Sequence, residues 1–319
     1  MKIYCPNLSK CYWRPEEKEN IEKYFNITND INSADILYWR INTEFVTQNE
    51  LQNFLSIEKK FKGKVINSMN SFKYTNDKIE CFKKWKEHGI PIPDFFEFID
   101  EKDFYNKLEN NNITYPFLIR TINDTGGDNT FEIHSNNDLN KNLKNLIKLN
   151  KHIYLCSKII NTTYKGFFTA YRIHLCCDKI ISYYGRVSNS ILCYTTGFNN
   201  NMKNAWIENN IRLTNTIKKH KNIIIKSCQV LNLQHVGIDI IENENGDIFF
   251  LEVQPFYFCG NKKRTLPPFW NPYKPKELVD WLINNKNYLE EKIPNYYTYW
   301  LNKDNHFNEC YKQLYNYYK

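Results

Sequence analysis

Long apolar runs are missing from this 319-residue chain. No stretch approaches the roughly eighteen uninterrupted apolar residues that a transmembrane helix requires, so no membrane partner is expected. The opening residues, Met1 to Pro6, lack the apolar core of a secretory leader, which makes the cytoplasm the expected compartment. The ten cysteines show no Cys-x-x-Cys spacing and the seven histidines form no zinc pattern. Neither a disulfide scaffold nor a zinc module is expected, and the thiols read as reduced. A localised basic patch is also missing. Lys plus Arg number 43 against 35 Asp plus Glu, a diffuse surplus of +8. Lys83, Lys84 and Lys86 alternate with Trp85 and Glu87, and Lys218, Lys219 and Lys221 share one predicted helix. Both runs read as solvated helix faces, so no nucleic-acid partner is expected; the surplus suits an anionic small ligand instead. No internal repeat is visible.

What is present is a globular composition, 42% hydrophobic and 24% charged, long enough for one large or two to three small domains. Over the first seventy or so residues, short apolar strands (Ile3–Cys5, Ala34–Ile41, Lys64–Asn67) alternate with helices (Glu16–Tyr24, Gln48–Lys60), which predicts a parallel α/β layer. A polar segment, Ser68–Asn76, separates it from the rest. Asp77 and Gly89 bracket a helix, and Ile90-Pro91-Ile92-Pro93 leads to an extended Phe95–Ile99. A helix over about 101–111, strands Phe117–Arg120 and Phe131–Ile133, and a helix Asn137–Lys148 follow. The second half reads as strands Ile153–Ile160, Phe167–Cys176 and Lys179–Val187, a helix Ile211–Leu231, and a hairpin Val236–Val253. Lys276–Lys319 reads as helical, and Phe307, Tyr311, Leu314 and Tyr318 recur there at the spacing of a helix packed on the body. Those aromatics also permit a homodimer.

The hairpin carries the chemistry. Asn245-Gly246 signals a two-residue type I′ turn. In that register Glu244 faces Asp247, Ile240 faces Leu251 and Ile238 faces Val253. Asp239 then faces Glu252, with Gln254 on the same side. Directly opposed Cβ atoms lie about 5 Å apart, so the two carboxylates need a cation between them or a raised pKa on one. With the Gln254 carbonyl they make three hard oxygen donors suited to Mg²⁺ or Mn²⁺; an exposed pair of acids facing water is the alternative. Arg120 closes an apolar strand before a loop, Thr121–Thr130, whose Thr125, Gly126 and Gly127 let backbone N–H groups approach an anion. Arg172 lies inside one predicted strand and Arg186 ends the next. A half-buried arginine needs an anionic partner, either a structural carboxylate or a phosphate.

Taken in order, residues 65–256 resemble the ATP-grasp superfamily, in particular its RimK-type and D-alanine–D-alanine ligase-like carboxylate–amine ligases. The resemblance runs through Asn67-Ser68, Asp77-Lys78, Gly89-Ile-Pro-Ile-Pro93, Pro116-Phe-Leu-Ile-Arg120, Thr125-Gly126-Gly127, Tyr154–Ile160, Tyr171-Arg172, Arg186, Gly237-Ile-Asp239 and Leu251-Glu-Val-Gln-Pro255. It implies an α/β fold with an N-terminal α/β pre-ATP-grasp domain (1–70) and two α+β lobes (71–150 and 151–270). A helical C-terminal extension (271–319) lies beyond it. It also implies ATP and Mg²⁺ or Mn²⁺ as cofactors. Asp239, Glu252 and Gln254 are then the metal ligands, and Lys78, Arg120, Thr125, Gly126 and Gly127 the phosphate contacts. Ser157, Lys158 and Ile159 are the hinge against adenine, and Arg172 and Arg186 the catalytic pair. The implied reaction activates a carboxylate as an acyl phosphate and joins it to an amine or similar nucleophile. The chain departs from the pattern at Arg120 (usually Lys), at Ser157-Lys158 and Ala170 (acids are usual nearby) and at Gln254 (usually Asn). Those departures fit a second reading, a nucleotide clamp that serves regulation or assembly without catalysis.

Overall fold

In a computed structural model, residues 1–6, 15–41, 46–122, 129–193, 199–255, 280–293 (except 283) and 303–319 are described. The first sheet holds β1 (Lys2–Tyr4), β2 (Asn26–Ile27), β3 (Ile36–Tyr38) and β4 (Lys64–Ile66), all parallel, in the order β2-β1-β3-β4. Parallel neighbours need crossovers, here α1 (Pro15–Ile21) and α2 (Gln48–Lys60). Thr47 and Glu50 form a reciprocal capping box that starts α2. β3 is shorter than the expected Ala34–Ile41, because its neighbour β4 ends at Ile66 and the chain turns at Asn67, where φ is +56°. Ser68–Asn76 is no spacer: it folds into a 3-10 turn and α3 (Phe72–Asn76), since Met69 and Phe72 bury against the first layer.

α4 (Lys78–Glu87) starts where expected, with the Asp77 carboxylate accepting from the Ile79 and Glu80 N–H groups. It stops before Gly89, at φ +68°. The second sheet is antiparallel, β5-β8-β6-β7, from β5 (Phe95–Phe98), β6 (Phe117–Thr121), β7 (Thr130–Ile133) and β8 (Tyr154–Lys158). α5 (Glu101–Asn110) and α6 (Asn136–Ile147) cover it with Phe104, Leu139 and Leu143.

The third sheet, β11-β10-β12-β13 with β9 on the edge, is also antiparallel. Its strands are β9 (Thr163–Tyr164), β10 (Phe167–Cys176), β11 (Lys179–Ser188), β12 (His235–Glu242) and β13 (Ile248–Gln254). Behind it, α7 (Lys203–Gln229) starts earlier than the expected Ile211, because Ala205, Trp206 and Asn210 bury there and the Asn210 amide bonds both backbone groups of Gly185. Leu213, Ile217 and Ile224 of α7 join Ile173, Ile238 and Val253 in the core.

The continuous helix expected over Lys276–Lys319 is broken. α8 (Lys286–Lys292) ends at Ile293, which is extended because proline follows it. α9 (Lys303–Tyr318) buries Phe307, Tyr311 and Leu314 between the first layer (Ile3, Ile21, Phe25) and the third sheet (Cys176, Tyr184). Residues 276–279 and 294–302 lie outside the described residues. The described cysteines are all free thiols. Among the described residues no helix is long and apolar enough to cross a membrane.

Candidate functional site

Strand alternation puts Arg172, Asp239, Glu252 and Gln254 on one face of the third sheet and Ile173, Ile238 and Val253 on the other. Across three strands Arg172 pairs with Asp239, and Asp239 with Glu252. The route to that register differs from the expected one. Asn243 N–H donates to Asp247 O (3.0 Å) and Gly246 N–H to Asn243 O (3.1 Å), so the loop holds three residues, with Gly246 at φ +78°. The Asn243 side-chain Oδ1 holds it open by accepting from the Asn245 and Asp247 N–H groups at 3.0 and 2.8 Å. Glu244 therefore does not face Asp247. Ile240 pairs with Phe250 rather than Leu251, and a bulge at Leu251 restores the register one residue later. An extra turn residue and an extra strand residue cancel, and Asp239 meets Glu252.

The chain supplies its own cations. Lys78 Nζ lies 2.5 Å from Glu252 Oε2. Arg172 grips Asp239 with two donors, Nε on Oδ1 and Nη2 on Oδ2 at 2.6 Å, and its Nη1 reaches Gln254 Oε1 at 3.2 Å. Arg186 Nη2 is 3.7 Å from Asp239 Oδ1, and its guanidinium stacks 5.3 Å over the Tyr184 ring. The Gln254 amide donates to Glu252 Oε1 at 3.1 Å. Burial opposes the charge on Glu252, yet Lys78 and Arg172 outweigh it and hold the carboxyl below the usual carboxylate range. Burial likewise opposes the Arg172 charge, and Asp239 more than restores it. Of the two expected remedies, a cation between the acids or a raised pKa on one, the chain itself supplies the first through Lys78 and Arg172, and the Glu252 pKa falls.

The site is partly open, with side-chain exposures of 12% for Asp239 and 26% for Glu252. Among the described residues no group of three or more His, Cys, Asp or Glu side chains is placed to hold a metal. The donor set here is two carboxylates and a carboxamide. These are hard oxygens on one face, one of them a carboxylate held ionised, the donor type a hard divalent cation takes, and here they are engaged by Lys78, Arg172 and the Gln254 amide.

Other expected site residues are distributed unevenly. Arg120, on β6, donates from Nε to Thr121 O at 3.1 Å and is among the cations that hold the Glu252 carboxyl down. Ser157 is buried in the ladder between Phe95 and Leu118, and Lys158 N–H donates to Asp94 O at 2.8 Å. The sheet thus engages the hinge backbone through Lys158, and Ile159 is the first residue past the strand. Thr125, Gly126 and Gly127 lie outside the described residues.

Arg40 and Glu17 escaped the sequence reading, and Asn67 entered it without its contacts. The Asn67 carbonyl accepts from the Gln234 and His235 N–H groups, both at 3.0 Å, and its amide donates to His235 O at 2.9 Å. Arg40 and Glu17 form a fully buried ion pair. The available signal was a charged residue inside the apolar run Ala34–Ile41.

Comparison with known proteins bears on the family and the fold. The model of the RimK-like ATP-grasp domain matches residues 75–256. The coenzyme gamma-F420-2:alpha-L-glutamate ligase of Methanococcus maripaludis is 25% identical over 189 residues, 59% of this chain and 61% of that protein. The match thus spans about three fifths of that relative's length. A D-alanine–D-alanine ligase from Coxiella burnetii superposes with a TM-score of 0.51 at 12% identity, over 90% of this chain and 70% of the other. A RimK domain ATP-grasp protein from Sphaerobacter thermophilus gives 0.50 at 11% identity, over 81% of this chain and 92% of the other. At such identities these structures speak to the fold alone.

Proposed function

The chain belongs to the RimK-like ATP-grasp family, and from that membership we propose an ATP- and Mg²⁺-dependent ligase that activates a carboxylate as an acyl phosphate and joins it to an amine. The observation that carries the reading is the row Arg172–Asp239–Glu252, flanked by Lys78, Arg186 and Gln254 on one half-open sheet face.

In this reading Lys78 and Arg120 neutralise the nucleotide phosphates, and the loop with Thr125, Gly126 and Gly127 covers them. The chain at Ser157, Lys158 and Ile159 borders the base. Arg172 and Arg186 stabilise charge on the phosphoryl group as it moves to the substrate carboxylate, a task needing placement rather than covalent help from the protein. Asp239, Glu252 and Gln254 would hold Mg²⁺, which when bound neutralises phosphate oxygens. Residues 1–70 form the pre-ATP-grasp domain, 71–150 and 151–270 the two lobes, and 271–319 the helical extension. The M. maripaludis relative is named as an alpha-L-glutamate ligase, which makes an amino acid the first amine to try.

The test is a thermal-shift titration with ATP and Mg²⁺, followed by ADP release in the presence of paired carboxylates and amines. A nucleotide-dependent rise in Tm with ADP formed only when both substrates are present supports the ligase. No rise with ATP sinks it. A rise without ADP release for any pair favours a clamp without chemistry.

A further inference from the structure

We infer that Arg40 is a positioning residue for the carboxylate hairpin, tying the first sheet to the end of the strand that carries Glu252 and Gln254. The inference rests on the ligase reading above. Arg40 follows β3 and is fully buried. Its Nε lies 3.2 and 3.3 Å from the two Glu17 oxygens, and its Nη2 also contacts Glu17. The remaining donor, Nη1, reaches across to Pro255 O at 2.5 Å. Glu17, on α1, is as buried as Arg40.

Taking two ions out of water opposes folding, and apolar replacements of a buried pair are commonly as stable or more so. Stability alone therefore gives little reason for a guanidinium here. What an apolar side chain cannot do is aim an N–H at a chosen carbonyl. Pro255 has no N–H to extend the ladder, so β13 loses its register-setting backbone bonds just past Gln254. The last ladder pair is Gly237 with Gln254. Arg40 takes hold at the next carbonyl.

The first sheet also grips the partner strand. Asn67 bonds the Gln234 and His235 backbone, and Tyr38 Oη bonds His235 Nδ1. Residues at the ends of β3 and β4 thus fasten both strands at the open end of the hairpin. Arg40 makes the contact to Pro255, next to an amide that touches both Glu252 and Arg172. Moving that carbonyl moves Gln254 Oε1 relative to the carboxylates.

The test uses the full chain with Mn²⁺ and a nonhydrolysable ATP analogue, reading bound Mn²⁺ by electron paramagnetic resonance and folding by thermal melting. Glu17→Leu/Arg40→Met removes both charges together. It is expected to melt near the wild type yet bind Mn²⁺ about 10–100-fold more weakly, the effect usual for residues that orient metal ligands. Arg40→Lys keeps a cation for Glu17, but one ammonium cannot serve both partners, so the same loss of Mn²⁺ affinity is expected. It takes over the test if the double variant fails to fold. Wild-type Mn²⁺ affinity in a folded variant overturns the role of Arg40 and leaves the ligase reading standing. No Mn²⁺ binding by the wild type itself, matched by Asp239→Asn, overturns the ligase reading and the inference with it.

Discussion

The two ends of the β12–β13 hairpin use the same kind of residue in opposite ways. Near the turn, Glu242 is nearly sealed, with 7% side-chain exposure. Its Oε2 accepts from Tyr171 Oη and Thr216 Oγ1, both at 2.8 Å, and lies 3.1 Å from Arg212 Nε. One carboxylate meets one guanidinium and two neutral hydroxyls, and the charge is closed. At the other end two carboxylates, Asp239 and Glu252, meet three cations, Lys78, Arg172 and Arg186, and the Glu252 side chain stays 26% exposed. A buried charge balanced one for one belongs to the fold. A half-open surplus of positive charge around ionised oxygens can receive an anion together with a cation.

The largest effect should come from breaking the open end. Asp239→Asn is expected to lower turnover on the order of 10²–10³-fold, as seen when one preorganised electrostatic group is removed. Steady-state ADP release measures this, with circular dichroism showing the fold intact. At the closed end Arg212→Met strands Glu242 without its cation. It should cost about 3 kcal/mol of stability in urea unfolding while leaving ATP affinity unchanged; a parallel loss of ATP affinity would erase the contrast between the ends. Arg120→Ala sharpens the comparison from across the cleft. Losing one charge-assisted contact to phosphate should weaken ATP roughly ten- to a hundred-fold and leave adenosine binding as it was, both readable by calorimetry.

The smallest effect lies beside the open end, on the same sheet face. Burial, helped by His306 and Arg172, keeps the His174 pKa well below its ordinary value. A group with a depressed folded pKa binds its proton more readily once unfolded. Its contribution is therefore complete above the unfolded value near 6.5 and is lost as pH falls below it. Between pH 7.5 and 5.5 that amounts to roughly 1.4 kcal/mol. Denaturant melts at both pH values should show it, and His174→Gln should flatten the difference.

Local features were the legible ones. Caps at Asp77 and Thr47, the alternation along β10 to β13 and the helical spacing of Phe307, Tyr311 and Leu314 depend on neighbours a few residues away. The Asp239–Glu252 pairing was read correctly by a partly wrong route. The Asn245-Gly246 signal was overridden by the Asn243 side chain, and a bulge that no spacing announces repaired the register. The need of Arg172 for an anion was plain from its place in a strand, but not which anion. Lys78 on Glu252 spans 174 positions and Arg40 on Pro255 spans 215, and no periodicity encodes such contacts. The resemblance assigned Lys78 to phosphate and carried no sign of its contact with the Glu252 carboxylate.

The seating of α9 has a consequence for how the chain is made. Ile3, Ile21 and Phe25 share their core with Phe307, Tyr311 and Leu314, and Tyr24 Oη donates to Asn308 Oδ1 across 284 positions. At roughly 5–20 residues per second a ribosome needs about 15–60 s to cover that distance. While the lobes that follow are synthesised, the first layer waits with one apolar side uncovered. The first layer, made well before α9, is therefore finished only when α9 arrives. Until α9 docks, the nascent chain presents a surface that chaperones which shield apolar patches are suited to hold.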